Sequence, residues 1–504
     1  MQYLIGVDLG TTATKAVLFK TNGEIVASSS QGYELYRDPS GMAEEEQEDI
    51  FEAVLMTIRE VSINLNEDDE LLAVSFSTQM HSLIAMTEDW CELSRTITWA
   101  DTRAVKYTEE LKKTGQGFEI YKRTGTPIHP MAPLSKLIWL KNEKPEIFGQ
   151  AKHYLDIKGY IFGRLFDVNK IDLSTATGTG LFNIFKLNWD AGAMEIAGIS
   201  ENQLPNVVEP YEIEQGMKPE FAKKMGIPQD TKFVWGAADG PLSNLGVNAI
   251  KPGVAAITIG TSGAIRVVTD QPKTDSKART FTYALDKTHW VVGGPVNSGG
   301  DVYRWVRDSL FDGKLSFDEI TELAQKVGPG ADGLLFHPYL GGERAPIWDA
   351  NARGSFFGLN YGHSRANMAR SVLEGVMLNL YMVALSLIEV TGSLNQIQAT
   401  GGFTSSELWI QILADIFEQP INVPESREAG CLAAIVMAEK ALGIVDDLNV
   451  IDEMVGTNHS YQPNPETFEI YRELSPIFIR LARTLGDEYI NIANFQRHVD
   501  EEKK

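Results

Sequence analysis

Leu4-Ile5-Gly6-Val7-Asp8-Leu9-Gly10-Thr11-Thr12-Ala13-Thr14-Lys15-Ala16-Val17-Leu18-Phe19 reads as an apolar strand, a tight polar turn and a second apolar strand. Short apolar runs bounded by glycine mark buried strands. Gly10 lets the backbone come close to a ligand. Thr11 and Thr12 add hydroxyls to the N–H groups of the turn, a concavity of the kind that takes phosphate, and Lys15 follows on the return strand. Asp8 ends an apolar strand, where a charge needs a purpose. Beside a phosphate cradle a carboxylate can hold Mg²⁺, usually through water. The alternative is a structural hairpin with a solvated Asp at its rim.

The pattern returns about half a chain later. Ala255-Ala256-Ile257-Thr258-Ile259-Gly260-Thr261-Ser262-Gly263-Ala264-Ile265-Arg266-Val267-Val268 is again strand, hydroxyl-bearing glycine turn and strand. Two such hairpins suggest two related lobes facing one polyphosphate. In this they resemble the actin-like ATPase superfamily of sugar kinases, heat-shock ATPases and actin. The resemblance implies an α/β fold of two duplicated actin-like (ribonuclease H-like) lobes, with ATP and sugar in a cleft between them. The glycine and Pro252-Gly253 punctuation from Gly246 to Gly253 puts the boundary between residues 1–248 and 249–504.

A chain of 504 residues has room for two sizeable cores. Its 45 basic and 68 acidic residues give a net charge of −23, which argues against nucleic acid and anionic membrane as general partners. Cys91 and Cys431 are the only cysteines, so no disulfide framework follows and a reducing compartment fits. Met1 leads almost directly into the Asp8 strand without the pattern of a signal peptide, and no apolar run of about 18 residues reads as a membrane span. The expectation is a cytoplasmic protein; a homodimer is left open.

Residues 42 to 64 carry Ile50, Phe51, Val54, Leu55, Ile58 and Val61 at helical spacing. The apolar strand Leu71 to Phe76 delivers Ser77-Thr78-Gln79-Met80-His81-Ser82, and ligands of α/β folds sit beyond strand ends. His81 could bond a hydroxylated substrate or be structural. Thr98-Trp99-Ala100-Asp101-Thr102-Arg103 suits a polyol, the ring covering C–H faces and the polar groups taking hydroxyls; the alternative is a surface loop with an internal Asp–Arg pair. Helix Ser135 to Glu143 packs Leu137, Ile138 and Leu140 inward, which leaves Lys136 and Trp139 to packing and a solvated face. Asp239, after the strand ending at Ala238 and before Gly240-Pro241, reads as a helix N-cap or as a general base facing a ligand. Gly299-Gly300 opens helix 302–310. Gly401-Gly402 after strand 397–400 reads as a tight βα turn or as a close approach to a flat or phosphorylated ligand. Gly328 to Gly333 matches the dinucleotide pattern only formally, since it holds Pro329 and precedes a strand-like run. The tail from Asp500 is expected to fray.

Met131-Ala132-Pro133-Leu134-Ser135-Lys136-Leu137-Ile138-Trp139 with Glu143, and Gly354 to Leu359 followed by Asn367-Met368 and Ser371 to Glu374, resemble the two signatures of the FGGY carbohydrate kinases. Within that family, residues 77–82, 98–103 and 124–131 most resemble gluconate kinases. Xylulose kinases differ where this chain has Ser82 and Ala100, and glycerol kinases where it has Met80-His81. The resemblance implies Asp239 as the base that deprotonates a primary hydroxyl and Asp8 on the Mg²⁺ side. It implies Gly10, Thr11, Thr12, Lys15, Gly260, Thr261 and Ser262 around phosphates, and Gly300, Gly401, Gly402 and Ser406 around the nucleotide. Gln79, Met80, His81, Trp99, Asp101 and Met131 would face the sugar. The implied reaction is ATP plus D-gluconate giving ADP plus 6-phospho-D-gluconate. A kinase for xylulose, ribulose or another polyol is the nearer rival, and a chaperone-type ATPase the more distant one.

Overall fold

The opening stretch forms β1 (Gln2–Leu9) and β2 (Ala13–Lys20), antiparallel, with Asp8 opposite Lys15. The structure is a computed structural model and describes residues 1–425 and 428–502. β3 (Ile25–Gly32) extends the meander. β4 (Glu70–Thr78) joins β1 in parallel, β5 (Ile213–Glu214) lies at the edge, and β6 (Lys232–Ala238) joins β4 in parallel. The sheet order is β5–β6–β4–β1–β2–β3.

Strand alternation gives β1 two apolar faces. Tyr3, Ile5, Val7 and Leu9 share a core with Ile50, Phe51, Val54 and Ile58 of helix Gln47–Ser62. Leu4, with Val17 and Phe19 of β2, shares another with Leu432 to Ala438 of helix Ala429–Ala441. Each fully buried aliphatic side chain contributes about 1.5–3 kcal/mol. Gly6 sets the second approach: a Cβ there would lie 2.2 Å from the Cys431 carbonyl oxygen, so only glycine admits that helix so close to the strand.

The chain packs as two units. The first takes in Met1–Ile250, Val268–Val292 and the stretch through Gly456 that holds helix Ala429–Ala441. The second takes in Lys251–Val267, Gly293–Glu425 and the chain from Thr457 onward. The first stretch of the first unit ends at Ile250, and the chain returns to that unit twice, once with Val268–Val292 and once with helix Ala429–Ala441, which covers one face of its sheet.

In the second unit β7 (Val254–Ile259) and β8 (Gly263–Thr269) are antiparallel. β9 (Gln396–Thr400) is parallel to β7, β10 (Ile421–Pro424) parallel to β9, and β11 (Thr457–Tyr461) antiparallel to β10. The series β8–β7–β9–β10–β11 thus repeats β2–β1–β4–β6–β5 strand for strand and direction for direction. The expected duplication of two actin-like α/β lobes is present.

Several boundaries differ from the expectation. The helix expected from residue 42 starts at Gln47, because Ala43–Glu45 is a short strand paired with Thr96–Ile97. The helix after Gly299 runs Gly300–Trp305 and continues as a wider π turn over Val306–Leu310. Helix Arg365–Thr391 is long and apolar enough to cross a membrane, against the expectation that no run reaches that length; 83% of its most apolar window is buried. Helix Gly486–Glu502 continues past Asp500, and the rest of the tail expected to fray lies outside the described residues.

Candidate active site

Three parallel strands of the first unit end in register. Leu9 pairs with Thr78, and Thr78 with Ala238, so Gly10, Gln79 and Asp239 each stand one residue beyond the sheet. At the usual strand spacing the outer two are about 10 Å apart, room for a substrate hydroxyl and a phosphoryl group.

Asp239 is exposed and is the first residue of helix Asp239–Gly246. It is not the N-cap; Ala238 holds that place. Its Oδ1 accepts from the Gly240 N–H at 2.7 Å. Its negative charge thus lies at a helix N-terminus, where the aligned N–H groups stabilise it. Two features aim it. β6 bulges between Val234 and Ala237, with Gly236 at φ +63°. Beyond the bulge, the Ala238 N–H donates to Ser174 Oγ at 3.1 Å.

Asp8 shares a face of β1 with Leu4 and Gly6 and points toward the start of helix Ala429–Ala441. Ser77 Oγ donates to its Oδ1 at 2.7 Å. Burial pushes its carboxyl above the ordinary value, with the Ser77 bond and Lys15 opposing. Lys15, expected at phosphate, pairs here with Glu428 at 3.0 Å. Burial works against its charge, but Glu428 more than offsets this and leaves its pKa raised.

Thr11 departs from the expectation of a hydroxyl aimed at phosphate. Its Oγ1 accepts from Trp99 Nε1 at 2.8 Å and donates to Gln79 Oε1 at 3.1 Å. Gln79 Nε2 in turn donates to Glu45 Oε2 at 2.7 Å. Thr11 therefore ties the hairpin to the loop after β4, and the exposed Thr12 and the turn N–H groups are left for an anion. Tyr33 steadies the turn by donating to the Gly10 carbonyl.

His81 sits at φ +69° with both ends held. Its Nδ1 is 2.8 Å from the Gly178 carbonyl, which can only accept, so the neutral ring carries its proton on Nδ1. Its own carbonyl accepts from Lys136 Nζ, which also donates to the Ile97 carbonyl at 3.1 Å. Lys136 is thus buried, not on the solvated face expected of it, and burial pushes its pKa down to about 7. Met80 and Met131 are buried beside this loop, Met80 against Gly178.

Asp101, expected to meet the sugar, is 2% exposed and engaged within the chain. Its oxygens accept from the Ala43 and Arg103 N–H groups at 3.0 Å each and from Arg103 Nε at 2.9 Å. The Arg103 guanidinium also bonds Glu44 at 2.6 Å and lies 4.1 Å over the Trp139 ring. The internal Asp–Arg pair considered as the alternative is what forms, but in the interior. His81 and the half-buried Trp99 are left as the accessible side chains of this face.

The second unit presents backbone where the first presents side chains. In its hairpin turn the Gly260 N–H donates to the Ser262 carbonyl, and the Gly300 and Asp301 N–H groups donate to the Gly260 and Thr261 carbonyls. A Cβ on Gly299 would lie 2.6 Å from Ser262, one on Gly300 2.7 Å from the Gly260 oxygen, and one on Gly401 2.2 Å from the Ile259 oxygen. These glycines let three chain segments converge. Gly260, Thr261, Gly300, Gly402 and Ser406 line a cavity of about 360 Å³ there. Ser406 also caps helix Glu407–Phe417, its Oγ accepting from the Trp409 N–H at 3.3 Å.

Four aromatic residues at this cavity escaped the sequence reading: Tyr303, Phe317, Phe403 and Trp409. Tyr303 stacks on Phe317 at 5.6 Å and lies 5.5 Å from Trp409. They come from four separate elements with no common spacing, and only the fold gathers them into one cavity wall. Among the described residues no cluster of three or more His, Cys, Asp or Glu could hold a metal by itself.

Residues 3–246 match the N-terminal domain of the FGGY family of carbohydrate kinases, and residues 255–442 its C-terminal domain. The chain is 48% identical over 505 residues to the gluconokinase of Bacillus subtilis, covering 98% of each, and 28% identical to a xylulose kinase of Staphylococcus epidermidis over 95% of this chain and 96% of that one. Two solved structures from Lactobacillus acidophilus superpose with TM-score 0.95 at 44% identity: one described as a gluconate kinase (97% and 99% of the two chains covered), the other as a ligand-bound xylulose kinase (98% and 100%). The two glycine-hydroxyl hairpins and the duplicated sheet accord with these matches, and the chain belongs to the FGGY family of carbohydrate kinases.

Proposed function

We propose that this carbohydrate kinase uses ATP to phosphorylate D-gluconate, giving 6-phospho-D-gluconate and ADP. The observation that carries the substrate is the full-length likeness to gluconokinases at 48%, against 28% for the xylulose kinase of Staphylococcus epidermidis. Asp239 is the general base: exposed, held at a helix N-terminus and aimed by the Gly236 bulge. It accepts the proton of the primary hydroxyl as that oxygen takes the γ-phosphoryl group. Trp99 covers the C–H face of the substrate, and His81 contacts a hydroxyl through Nε2. The N–H groups of Thr11 and Thr12 and of Thr261 and Ser262 hold phosphate oxygens, those of Gly10 and Gly260 being used to close the two turns. Mg²⁺ on the Asp8 side neutralises phosphate charge when bound. Little covalent work falls to the protein, so positioning and charge account for the rate. A cytoplasmic location suits a chain with two free cysteines, one exposed and one buried.

A second reading, D-xylulose as substrate, is favoured by the ligand-bound xylulose kinase that superposes equally well. ADP release with Mg-ATP across D-gluconate, D-xylulose, L-ribulose, glycerol and no sugar separates them. Gluconate is expected to stimulate release most. Stimulation by xylulose alone keeps the mechanism and discards the substrate.

A further inference from the structure

The reading above leaves Glu45 without a role. It lies at the end of the short strand Ala43–Glu45 and is fully buried. Its neighbour Glu44 points the other way, to Arg103. Glu45 Oε2 accepts from Gln79 Nε2, but Oε1 is buried with no hydrogen-bond partner among the described residues.

We propose that Glu45 is a positioning residue that works as a buried carboxylic acid behind Gln79, fixing Thr11 and Trp99 and keeping that wall of the site uncharged toward an anionic sugar. The inference rests on the gluconate reading.

The geometry supports it in two ways. First, the Gln79 amide links Glu45 to the hairpin. Its Nε2 faces Glu45 and its Oε1 takes the Thr11 hydroxyl, which leaves Thr11 able to accept from Trp99. Glu45, as acceptor, thereby sets the amide and, two bonds on, the indole.

Second, no charge is left over to pair with Glu45. Asp101 and Glu44 share Arg103. Lys136, the amine that faces Glu45, donates to the His81 and Ile97 carbonyls, and its own burial lowers its pKa to about 7, so it offers no lasting positive charge. Tyr33 is held at Gly10, and Asp8 by Ser77. A carboxylate with one donor and no ion pair in a dry interior is costly, whereas the neutral acid is tolerated. Burial accordingly pushes the Glu45 carboxyl up to about 8, the Gln79 bond and Lys136 pulling it partway back. Above that pH the wall gains a negative charge facing a substrate that is itself an anion.

The test is the gluconate KM from pH 7 to 9.5 in the full-length enzyme and in Glu45→Gln, with the ATP KM measured alongside. In the wild type the gluconate KM is expected to climb about fivefold or more across this range. In Glu45→Gln it should stay flat, with the ATP KM following one course in both. A flat wild-type profile overturns the inference with no variant needed, and so do coincident climbing profiles. Should Glu45→Gln not fold, Glu45→Met takes its place. Absence of gluconate-stimulated ADP release from the wild type at pH 7 sinks the substrate reading; normal turnover with coincident profiles sinks the role of Glu45 alone.

Discussion

Gly236→Ala tests whether a backbone bulge positions the catalytic base. Gly236 sits at φ +63°, and a Cβ there would lie 1.9 Å from the Phe76 carbonyl oxygen and 2.9 Å from its carbon. Left-handed backbone costs a non-glycine residue about 1–2 kcal/mol. The clash costs more, because Phe76 lies in β4, hydrogen-bonded on both sides within the sheet. The two strands must part by roughly 1 Å, and the expected loss of stability is about 2–4 kcal/mol. Asp239 lies three residues further on, and a displacement of about 1 Å at a reacting group can cost about 100-fold in rate. The cavity proposed to take the nucleotide contains none of these residues, so the ATP KM should hold. Urea unfolding gives the stability term, and a coupled ADP assay gives kcat. Gly149→Ala, with no atom within 4 Å of the added Cβ, is the control. A folded Gly236→Ala enzyme with kcat within about threefold of wild type would refute the claim that the bulge places Asp239.

Three further outcomes are expected. Asp239→Asn should lower kcat by at least about 10³ while calorimetry shows ATP binding intact; near-normal turnover removes Asp239 from the base role. Trp99→Ala should raise the gluconate KM far more than the ATP KM, since it removes the ring and the donor to Thr11 together; an unchanged gluconate KM moves the sugar elsewhere. Glu439 is buried in helix Ala429–Ala441 with both carboxyl oxygens unpartnered among the described residues, and burial pushes its pKa up to about 7. The unfolded chain then releases this proton first, so stability should fall as pH rises from about 4.5 through 7. Glu439→Met should gain about 1–3 kcal/mol at pH 8 in urea titrations, and an equal or lower midpoint there would count against a buried, unpaired acid.

The hairpins were legible because their signal is local: glycine and hydroxyl residues between apolar runs allow few other conformations. The repeat was legible for the same reason, twice over. Strand ends that carry Asp8, Gln79 and Asp239 followed from apolar runs stopping at polar residues. What escaped was pairing across the chain. No spacing rule brings Glu45 to Gln79 or Lys136 to the carbonyl of His81, since these partners are 34 and 55 residues apart. Lys136 lies among Leu137, Ile138 and Trp139, and its burial follows only once two carbonyls supply acceptors. Asp101 reads as a sugar contact because an aromatic, a carboxylate and a guanidinium stand close together; the fold instead delivers the Ala43 N–H and Arg103 to its oxygens.

The two units show how one strand plan comes to do two chemical tasks. In the first, the residues beyond the three parallel strands are Gly10, Gln79 and Asp239; in the second, beyond β7, β9 and β10, they are Gly260, Gly401 and Glu425. Asp8 in β1 has Thr258 at the matching place in β7. A base that must take a proton and a loop that must tell hydroxyl groups apart need side chains at fixed positions. A polyphosphate and a flat ring need close backbone N–H groups and smooth walls, and on the proposed reading Gly300, Gly401 and Gly402 with Tyr303 and Trp409 beside them supply these. The hairpin threonines diverge in the same sense. Thr261 keeps its place at the cavity, and its carbonyl accepts from the Asp301 N–H. Thr11 gives its hydroxyl to Gln79 and Trp99. The same turn thus serves in the first unit as a strut between β1, Gln79 and Trp99, and on the proposed reading phosphate contact there falls to Thr12 and the backbone.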